Sequence, residues 1–254
     1  MQSAKNTMKK LILIQNDYPG TGKSTLALCF HRYLQQYGVS HQLLSLTEED
    51  APTEMGSTAL DVSSLTPREF LAHIDASPLT ILDVGTGLGE FFNKFYQGCE
   101  MDQILHAAGV AVSVVLPVTA DRESFDSVIE AAEVFSDNAE YLIAHLVTSC
   151  YDEDDKVWDT SYAARVMDMF EAVELHIPEI TFQVELSTEH MSLDSALQQG
   201  DAEERLGKEY TKWNRRVMGQ VDSARQYLFG DAFRPTMAPK PAKPTRKTKA
   251  KLAA

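Results

Sequence analysis

The chain has 254 residues, enough for one large α/β domain with a continuous hydrophobic core. Hydrophobic residues make up 44% and charged residues 24%, which is ordinary for a globular protein, and the formal net charge is −14. No apolar run approaches the roughly 20 residues that a membrane-spanning helix needs, so we predict a cytoplasmic protein. The three cysteines, Cys29, Cys99 and Cys150, form no C-x-x-C pair, which disfavours a zinc or redox centre.

The first predicted unit is a strand, a loop and a helix. Residues 1–8 are polar and without periodicity, and we expect them to form a disordered leader. Leu11 to Ile14 is a short apolar run, typical of a parallel strand that is buried on both faces. After a glycine-rich turn, apolar side chains recur at near-helical spacing as far as Tyr37, and Gly38 is a suitable C-cap.

Strands and helices then continue to alternate. Further strands are predicted near residues 41–46, 79–84, 110–116, 141–147 and 180–186. Further helices are predicted from residue 66 and over residues 90–106, 121–135 and 160–173. Thr66 is a suitable N-cap for the first of these helices, and Asp121 or Thr119 for the third. The alternation predicts right-handed β-α-β units and an α/β fold, with a mostly parallel sheet flanked by helices on both faces.

A long polar helix is predicted over residues 202–229, beyond the sheet. Its apolar stripe consists of Leu206, Tyr210, Trp213, Val217, Val221 and Tyr227 or Leu228. Such a stripe is typical of a terminal helix that packs on its own domain, and a helix that binds a partner or a second copy is the alternative. We therefore place one domain at residues 9–230.

The remaining segment, residues 231–254, has a composition unlike the rest of the chain. From Pro239 onward it has six basic residues and no acidic ones, and removing those six leaves 17 basic against 37 acidic residues, a formal charge of −20 for residues 1–238. Its prolines and lysines predict a disordered basic tail. The tail is either a solvated arm or a nonspecific contact for DNA or for an acidic protein.

The candidate functional residues lie in the loop between the first strand and the first helix. The loop matches the phosphate-binding pattern G-x-x-x-x-G-K-[ST] at Gly22, Lys23 and Ser24, with Asp17 in place of the first glycine. Glycines let backbone N–H groups converge on a phosphate at the start of a helix. In such loops the lysine contacts the β- and γ-phosphates and the hydroxyl ligates magnesium. We therefore predict that ATP and Mg²⁺ bind to Asp17, Tyr18, Pro19, Gly20, Thr21, Gly22, Lys23, Ser24 and Thr25.

A carboxylate at the end of a neighbouring strand would complete such a site. Asp83 ends the predicted strand at residues 79–84 and is followed by the glycine-rich segment 84–89, which we expect to sense the γ-phosphate. We predict that Asp83 holds magnesium through water and acts in catalysis together with Lys23. An ordinary aspartate in a turn is the alternative.

Two other groups of residues are weaker candidates. The acidic run of residues 48–50 follows the second predicted strand and is either a solvated loop or a magnesium-linked site. The seven histidines show no ligand spacing, and we expect His145, inside a predicted strand, to be a core residue.

The pattern resembles the SIMIBI class of P-loop NTPases and, within it, the ParA/MinD superfamily, which includes StbB-like plasmid-stability ATPases. The resemblance lies in residues 16–25, in Ile-Leu-Asp-Val-Gly at 81–85, in Val-Leu-Pro-Val at 115–118 and in Ile-Pro-Glu-Ile at 177–180. It implies a three-layer P-loop NTPase sandwich that binds ATP with magnesium and hydrolyses it slowly. The function implied is a nucleotide-dependent switch in plasmid partition, in mobile-element maintenance or in cargo positioning.

The chain departs from this family at two places. In ParA/MinD proteins a signature lysine reaches across an ATP-sandwiched homodimer, and the matching residue here is Tyr18. The usual D-x-D after the second strand is replaced by Thr47, Glu48 and Glu49. The resemblance therefore implies the fold and the nucleotide site more directly than it implies a homodimer. A kinase that transfers the γ-phosphate to a small molecule or nucleotide, and a nucleotide-binding scaffold with a polyanion-binding tail, are the alternative functions.

Overall fold

The computed structural model describes residues 8–48, 56–147, 156–178 and 204–236. Seven strands are described: β1 (Lys9–Ile14), β2 (Gln42–Thr47), β3 (Thr58–Asp61), β4 (Leu79–Val84), β5 (Val110–Val118), β6 (Glu140–Val147) and β7 (Val173–Pro178). The labelled helices are α1 (Lys23–Gln36), α2 (Pro67–Asp75), α3 (Gly89–Gly98), α4 (Met101–Ala107), α5 (Asp126–Phe135), α6 (Tyr162–Met169), α7 (Glu204–Ser223) and α8 (Arg225–Phe229). The predicted α/β fold is confirmed.

The strands form one sheet in the order β3-β2-β4-β1-β5-β6-β7, and each of its six pairings is parallel. The sheet is covered on both faces, as the apolar run in β1 predicted. Leu11 and Leu13 belong to a core that includes residues of α2 to α6. Ile12 and Ile14 belong to a second core, formed with α1, α7 and α8. Because strand side chains alternate between the faces, one strand contributes to both cores.

Some predicted helices differ from the structure. The helix expected over residues 202–229 is divided at Ala224 into α7 and α8. The helix expected at residues 90–106 is divided into α3 and α4, because Glu100 adopts a left-handed conformation with φ of 51°. The helix expected from Asp121 begins instead as a 3₁₀ turn at Arg122–Phe125, followed by α5. The side chain of Asp121 does not cap this turn, so its predicted capping role is wrong.

Two strands were not predicted, and several predicted features lie outside the described residues. Strand β3 lies at one edge of the sheet, and β7 lies at the other edge, where the sequence predicted the end of a helix. The strand predicted at 180–186 falls outside the described residues. So do Glu49, Asp50, Cys150, the first seven residues, and the chain from residue 237 onward.

The C-terminal elements pack on the face that carries α1. Trp213, Val217 and Val221 of α7 are buried there, which agrees with the predicted packing stripe, and Leu228 of α8 is buried as well. The hydroxyl of Thr236 donates to the carbonyl of Gly38 at 3.0 Å. Among the described helices, none has both the length and the apolar character needed to cross a membrane.

The connections that follow β1 and β4 diverge at the carboxyl edge of the sheet. The chain leaves β1 for α1 on one face, and it leaves β4 for α3 on the other. Strands β1 and β4 are neighbours, and Ile14 pairs with Asp83 at their carboxyl ends. Ligands of open α/β sheets bind outside the carboxyl ends of strands whose connections diverge in this way.

Candidate phosphate-binding site

The glycine loop leads from β1 into an uncapped helix N-terminus. Gly20 and Gly22 have positive φ angles of 77° and 74°, a conformation that other residues rarely adopt. Helix α1 follows directly, and its N-cap residue, Gly22, has no side chain that could cap the first turn. The first N–H groups of a helix have no partner within the helix, and its dipole favours negative charge. The start of α1 therefore has the properties of an anion site.

Lys23 is buried beside this loop, with 6% of its surface exposed. Its ammonium donates to the carbonyl oxygen of Asn16 at 2.6 Å and to the hydroxyl of Thr86 at 3.0 Å. Burial lowers the pKa of Lys23, and the negative charges of Asp83 and Asp17 oppose that shift. A buried ammonium is costly unless it is paired, so an anion at the start of α1 would offset part of this cost.

The predicted magnesium ligands lie at the same edge of the sheet. Asp83 is 6% exposed and lies near the end of β4. Ser24 and Thr25 are half-buried in the first turn of α1, and α1 packs against β4. A hydroxyl and a carboxylate are oxygen donors of the kind that Mg²⁺ prefers. The donor set fits magnesium, and the assignment of Ser24 and Asp83 as its ligands stays a prediction.

Asp17 occupies the position of the first glycine in the phosphate-binding pattern. Its carboxylate accepts hydrogen bonds from the N–H groups of Gly89 at 2.8 Å and of Glu90 at 3.2 Å, and so caps α3. Its own N–H donates to the hydroxyl of Ser127 at 3.0 Å. Asp17 thus joins the phosphate loop to the helix that follows segment 84–89.

Tyr18, which matches the signature lysine, is held by its own subunit. Its hydroxyl donates to the carboxylate of Asp121 at 2.9 Å, and this bond raises the pKa of Tyr18. The backbone carbonyl of Tyr18 accepts a hydrogen bond at 3.3 Å from Thr21, which is completely buried. Pro19, between them in sequence, is exposed.

Asn16 is a buried residue of the site that the sequence did not identify. Its side-chain amide donates to the carbonyls of Pro117 and Ser124, both at 2.8 Å, and its side-chain oxygen accepts from the N–H of Tyr18 at 2.8 Å. It therefore ties the end of β1 to the end of β5. Asp121 and Ser127 were missed as site residues as well, whereas Thr86 lies in the predicted segment 84–89. The signal available for Asn16 was a polar residue at the end of an apolar strand.

The acidic run after β2 contributes one described residue. Glu48 is exposed and directly follows the strand. The described part of the chain gives it no contact with the phosphate loop, so its role as a magnesium-linked acid stays a prediction.

These features define a class of protein. A parallel α/β sheet with a glycine loop, a buried lysine and an uncapped helix at the carboxyl end of its central strand has the architecture of a phosphate-binding P-loop domain.

Comparison with known proteins gave no family match. No protein-family model matches the sequence, and no curated protein matches it. Among solved structures, the MinC:MinD cell division protein complex of Aquifex aeolicus is similar at 13% identity and a TM-score of 0.45, covering 85% of this chain and 96% of that chain. The MinD cell division protein of Aquifex aeolicus is similar at 12% identity and a TM-score of 0.43, covering 88% of this chain and 94% of that chain. Both similarities are distant, and the fold assignment rests on the strand order and pairing described above.

Proposed function

We propose that the protein is a P-loop ATPase of the ParA/MinD type that acts as a nucleotide-dependent switch. The observation that carries the proposal is the buried Lys23 ammonium beside the uncapped N-terminus of α1. This pairing of a fixed positive charge with backbone N–H groups suits a polyphosphate, which offers several negative oxygens close together.

Each part of the site has a role in this proposal. The first N–H groups of α1 and the ammonium of Lys23 bind the phosphates of ATP. The Ser24 hydroxyl and, through water, the Asp83 carboxylate hold magnesium. Magnesium supplies a double positive charge that offsets the charge of the phosphates.

Two hydrogen-bonded links support the role of segment 84–89 as the moving part of the switch. Lys23 donates to Thr86 near the start of the segment, and Asp17 accepts from Gly89 at its end. A phosphate that attracts the Lys23 ammonium competes with Thr86 for it, so nucleotide binding changes the restraint on the segment. The hydrogen bonds from α3 to Asp17 remain in place while the nucleotide binds.

We infer slow hydrolysis and no strong ATP-driven dimer. The support is Tyr18, which stands where the family has its signature lysine and which is hydrogen-bonded to Asp121 of its own subunit. Action in plasmid partition, in mobile-element maintenance or in cargo positioning is the biological role that we propose from the resemblance of the loop and the Asp83 segment.

Hydrogen exchange tests the switch directly. We expect a nonhydrolysable ATP analogue with Mg²⁺ to decrease protection of the amides in residues 84–98, because Thr86 loses its hydrogen bond to Lys23, and to leave residues 162–169 of α6 unchanged as an internal control. Unchanged exchange at 84–98, in a sample whose analogue binding is verified by calorimetry, would exclude the switch. ATP turnover that rises many-fold with one compound from a metabolite panel would identify a kinase instead.

A further inference from the structure

The edge strand β7 and its neighbour β6 bring together three side chains of types that can bind a metal ion. His145 of β6 and His176 of β7 are directly paired in the sheet. Glu174 lies two residues before His176 and therefore on the same face of β7. One ligand atom from each of the three residues lies within 4.8 Å of the other two. None of these residues belongs to the phosphate-binding site.

The buried member of this group has a ring nitrogen without a hydrogen bond. His145 is 7% exposed, and its Nε2 atom has no hydrogen-bond partner within the part of the chain that the structure describes. Oε2 of Glu174 lies 3.5 Å from it, an ion-pair contact that is longer than a good hydrogen bond. Buried polar atoms normally make a hydrogen bond, and this nitrogen, which faces the Glu174 carboxylate, makes none within the described residues.

The surroundings of the group hold its ligand atoms in place. The indole N–H of Trp158 donates to Oε1 of Glu174 at 3.0 Å, while Oε2 faces His145. The imidazole rings of His145 and His176 stack at 5.0 Å between centroids, and the Trp158 ring contacts His145 edge-on at 5.3 Å. A hydrogen bond to a ligating carboxylate is the kind of outer contact that orients metal ligands.

We propose that His145, Glu174 and His176 bind a divalent transition metal ion, with Zn²⁺ as the best fit. Two imidazoles and one carboxylate are zinc ligands, whereas magnesium prefers oxygen ligands alone. Three protein ligands with an exposed carboxylate leave a fourth position for water or for another molecule. Two ligands of a tetrahedral zinc ion lie about 3.4 Å apart. The exposed Glu174 and the half-exposed His176 therefore move inward when the ion binds.

The proposed zinc site and the phosphate loop lie on opposite faces of the sheet near β6. Leu146 follows His145 in β6, and its side chain lies 3.2 Å from the place where a Cβ atom on Gly22 would be. Leu146 faces the α1 side of the sheet, and His145 faces the opposite side, toward Trp158. The two sites are thus separate, and the zinc proposal stands whether or not the chain binds ATP.

Zinc titration of the full, tag-free chain without nucleotide tests the proposal. We expect calorimetry with Zn²⁺ alone to show one site in the wild type, and His176→Gln and Glu174→Gln each to weaken binding by at least about 10-fold. His41→Gln is the matched control, because His41 pairs with His31 at 2.9 Å, and among the described residues this pair belongs to no group of three metal ligands. The affinity of the His41→Gln variant for Zn²⁺ should equal that of the wild type.

A second measurement needs no variant and so does not depend on variant folding. Zinc binding should shift the imidazole ¹⁵N resonances of two histidines in the wild-type chain, and these should be the resonances assigned to His145 and His176 through their connection to the backbone. Zinc sites in proteins generally have dissociation constants far below about 100 µM. Absence of binding at about 100 µM Zn²⁺ would therefore overturn the proposal. Equal affinity in wild type, His176→Gln and Glu174→Gln, or zinc shifts confined to other histidines, would overturn it too.

Discussion

The carboxylate of Asp17 accepts a hydrogen bond from the backbone N–H of Gly89 at 2.8 Å. The two residues belong to different parts of the site, since Asp17 begins the phosphate loop and Gly89 begins α3. A second bond, from the N–H of Glu90 at 3.2 Å, makes Asp17 the cap of this helix. A negative group at a helix N-terminus is stabilising, so the residue that replaces the first glycine of the pattern has a structural purpose.

Replacing Asp17 by asparagine should lower the stability of the fold. The variant keeps one acceptor oxygen but loses the charge that interacts with the start of α3, and we expect a loss of about 1 kcal/mol in the free energy of unfolding. Urea unfolding measures it. Asp168→Asn, which removes an exposed carboxylate on α6, should stay within about 0.5 kcal/mol of the wild type. Equal effects of the two substitutions would show that the Asp17 cap contributes nothing.

Replacing Gly89 by alanine should disrupt the same contact from the other side. A Cβ atom there would lie 2.7 Å and 2.8 Å from the two carboxylate oxygens of Asp17, too close without a shift of the loop. We expect a loss of about 1–3 kcal/mol by thermal or urea unfolding. Gly98→Ala is the control within the same helix, because a Cβ there meets no atom within 4 Å. It should be neutral or stabilising by up to about 1 kcal/mol.

The phosphate loop and the strand that carries Asp83 could be located from the sequence because their signals are local. Lys23, Gly20 and Gly22 lie in one continuous motif, and Asp83 ends an apolar run whose predicted bounds match β4. Thr66 and Glu69 form the capping box that stabilises the start of α2, where the sequence had placed Thr66 as N-cap.

The missed contacts join residues that are far apart in the chain. Asn16 contacts the carbonyl of Pro117, 101 residues away, and only the strand order brings them together. His145 and His176 become neighbours because β6 and β7 pair, and β7 itself was not predicted. Its partly exposed residues give a weak hydrophobic signal. The break between α3 and α4 rests on a left-handed glutamate, Glu100, for which the sequence has no marker.

Asp83→Asn should separate magnesium binding from nucleotide binding. The proposed contact of Asp83 with the ion is through water, and loss of such an outer ligand typically weakens metal binding by about 10- to 100-fold. We therefore expect weaker ATP binding in the presence of Mg²⁺ and unchanged ATP binding in EDTA, both by calorimetry. An equal loss of affinity in the two conditions would assign Asp83 a role that does not involve magnesium.

Cys29 should be unreactive in the folded protein. Burial raises the pKa of its thiol to about 12, and the thiolate is the reactive form. The native state therefore holds this proton more tightly than the unfolded state, so its contribution to stability is complete below the ordinary pKa and declines as the pH rises from about 9 toward 12.

Thiol labelling at pH 8 measures this difference. In a chain with Cys99 and Cys150 replaced by serine, we expect Cys29 to react at least about 1,000-fold more slowly when folded than in urea, in line with its small thiolate fraction. Comparable rates in the two states would contradict the burial of Cys29 on the inner face of α1.

The central claim is that the start of α1 and Lys23 bind a nucleoside triphosphate, and calorimetric titration of ATP with Mg²⁺ tests it most directly. We predict that the wild type binds one ATP and that Lys23→Ala weakens binding at least about 100-fold, or ~2.7 kcal/mol, while its circular dichroism is unchanged. Lys94→Ala, at an exposed lysine of α3, should bind as the wild type does. A correctly folded Lys23→Ala variant with wild-type affinity for ATP would contradict the account.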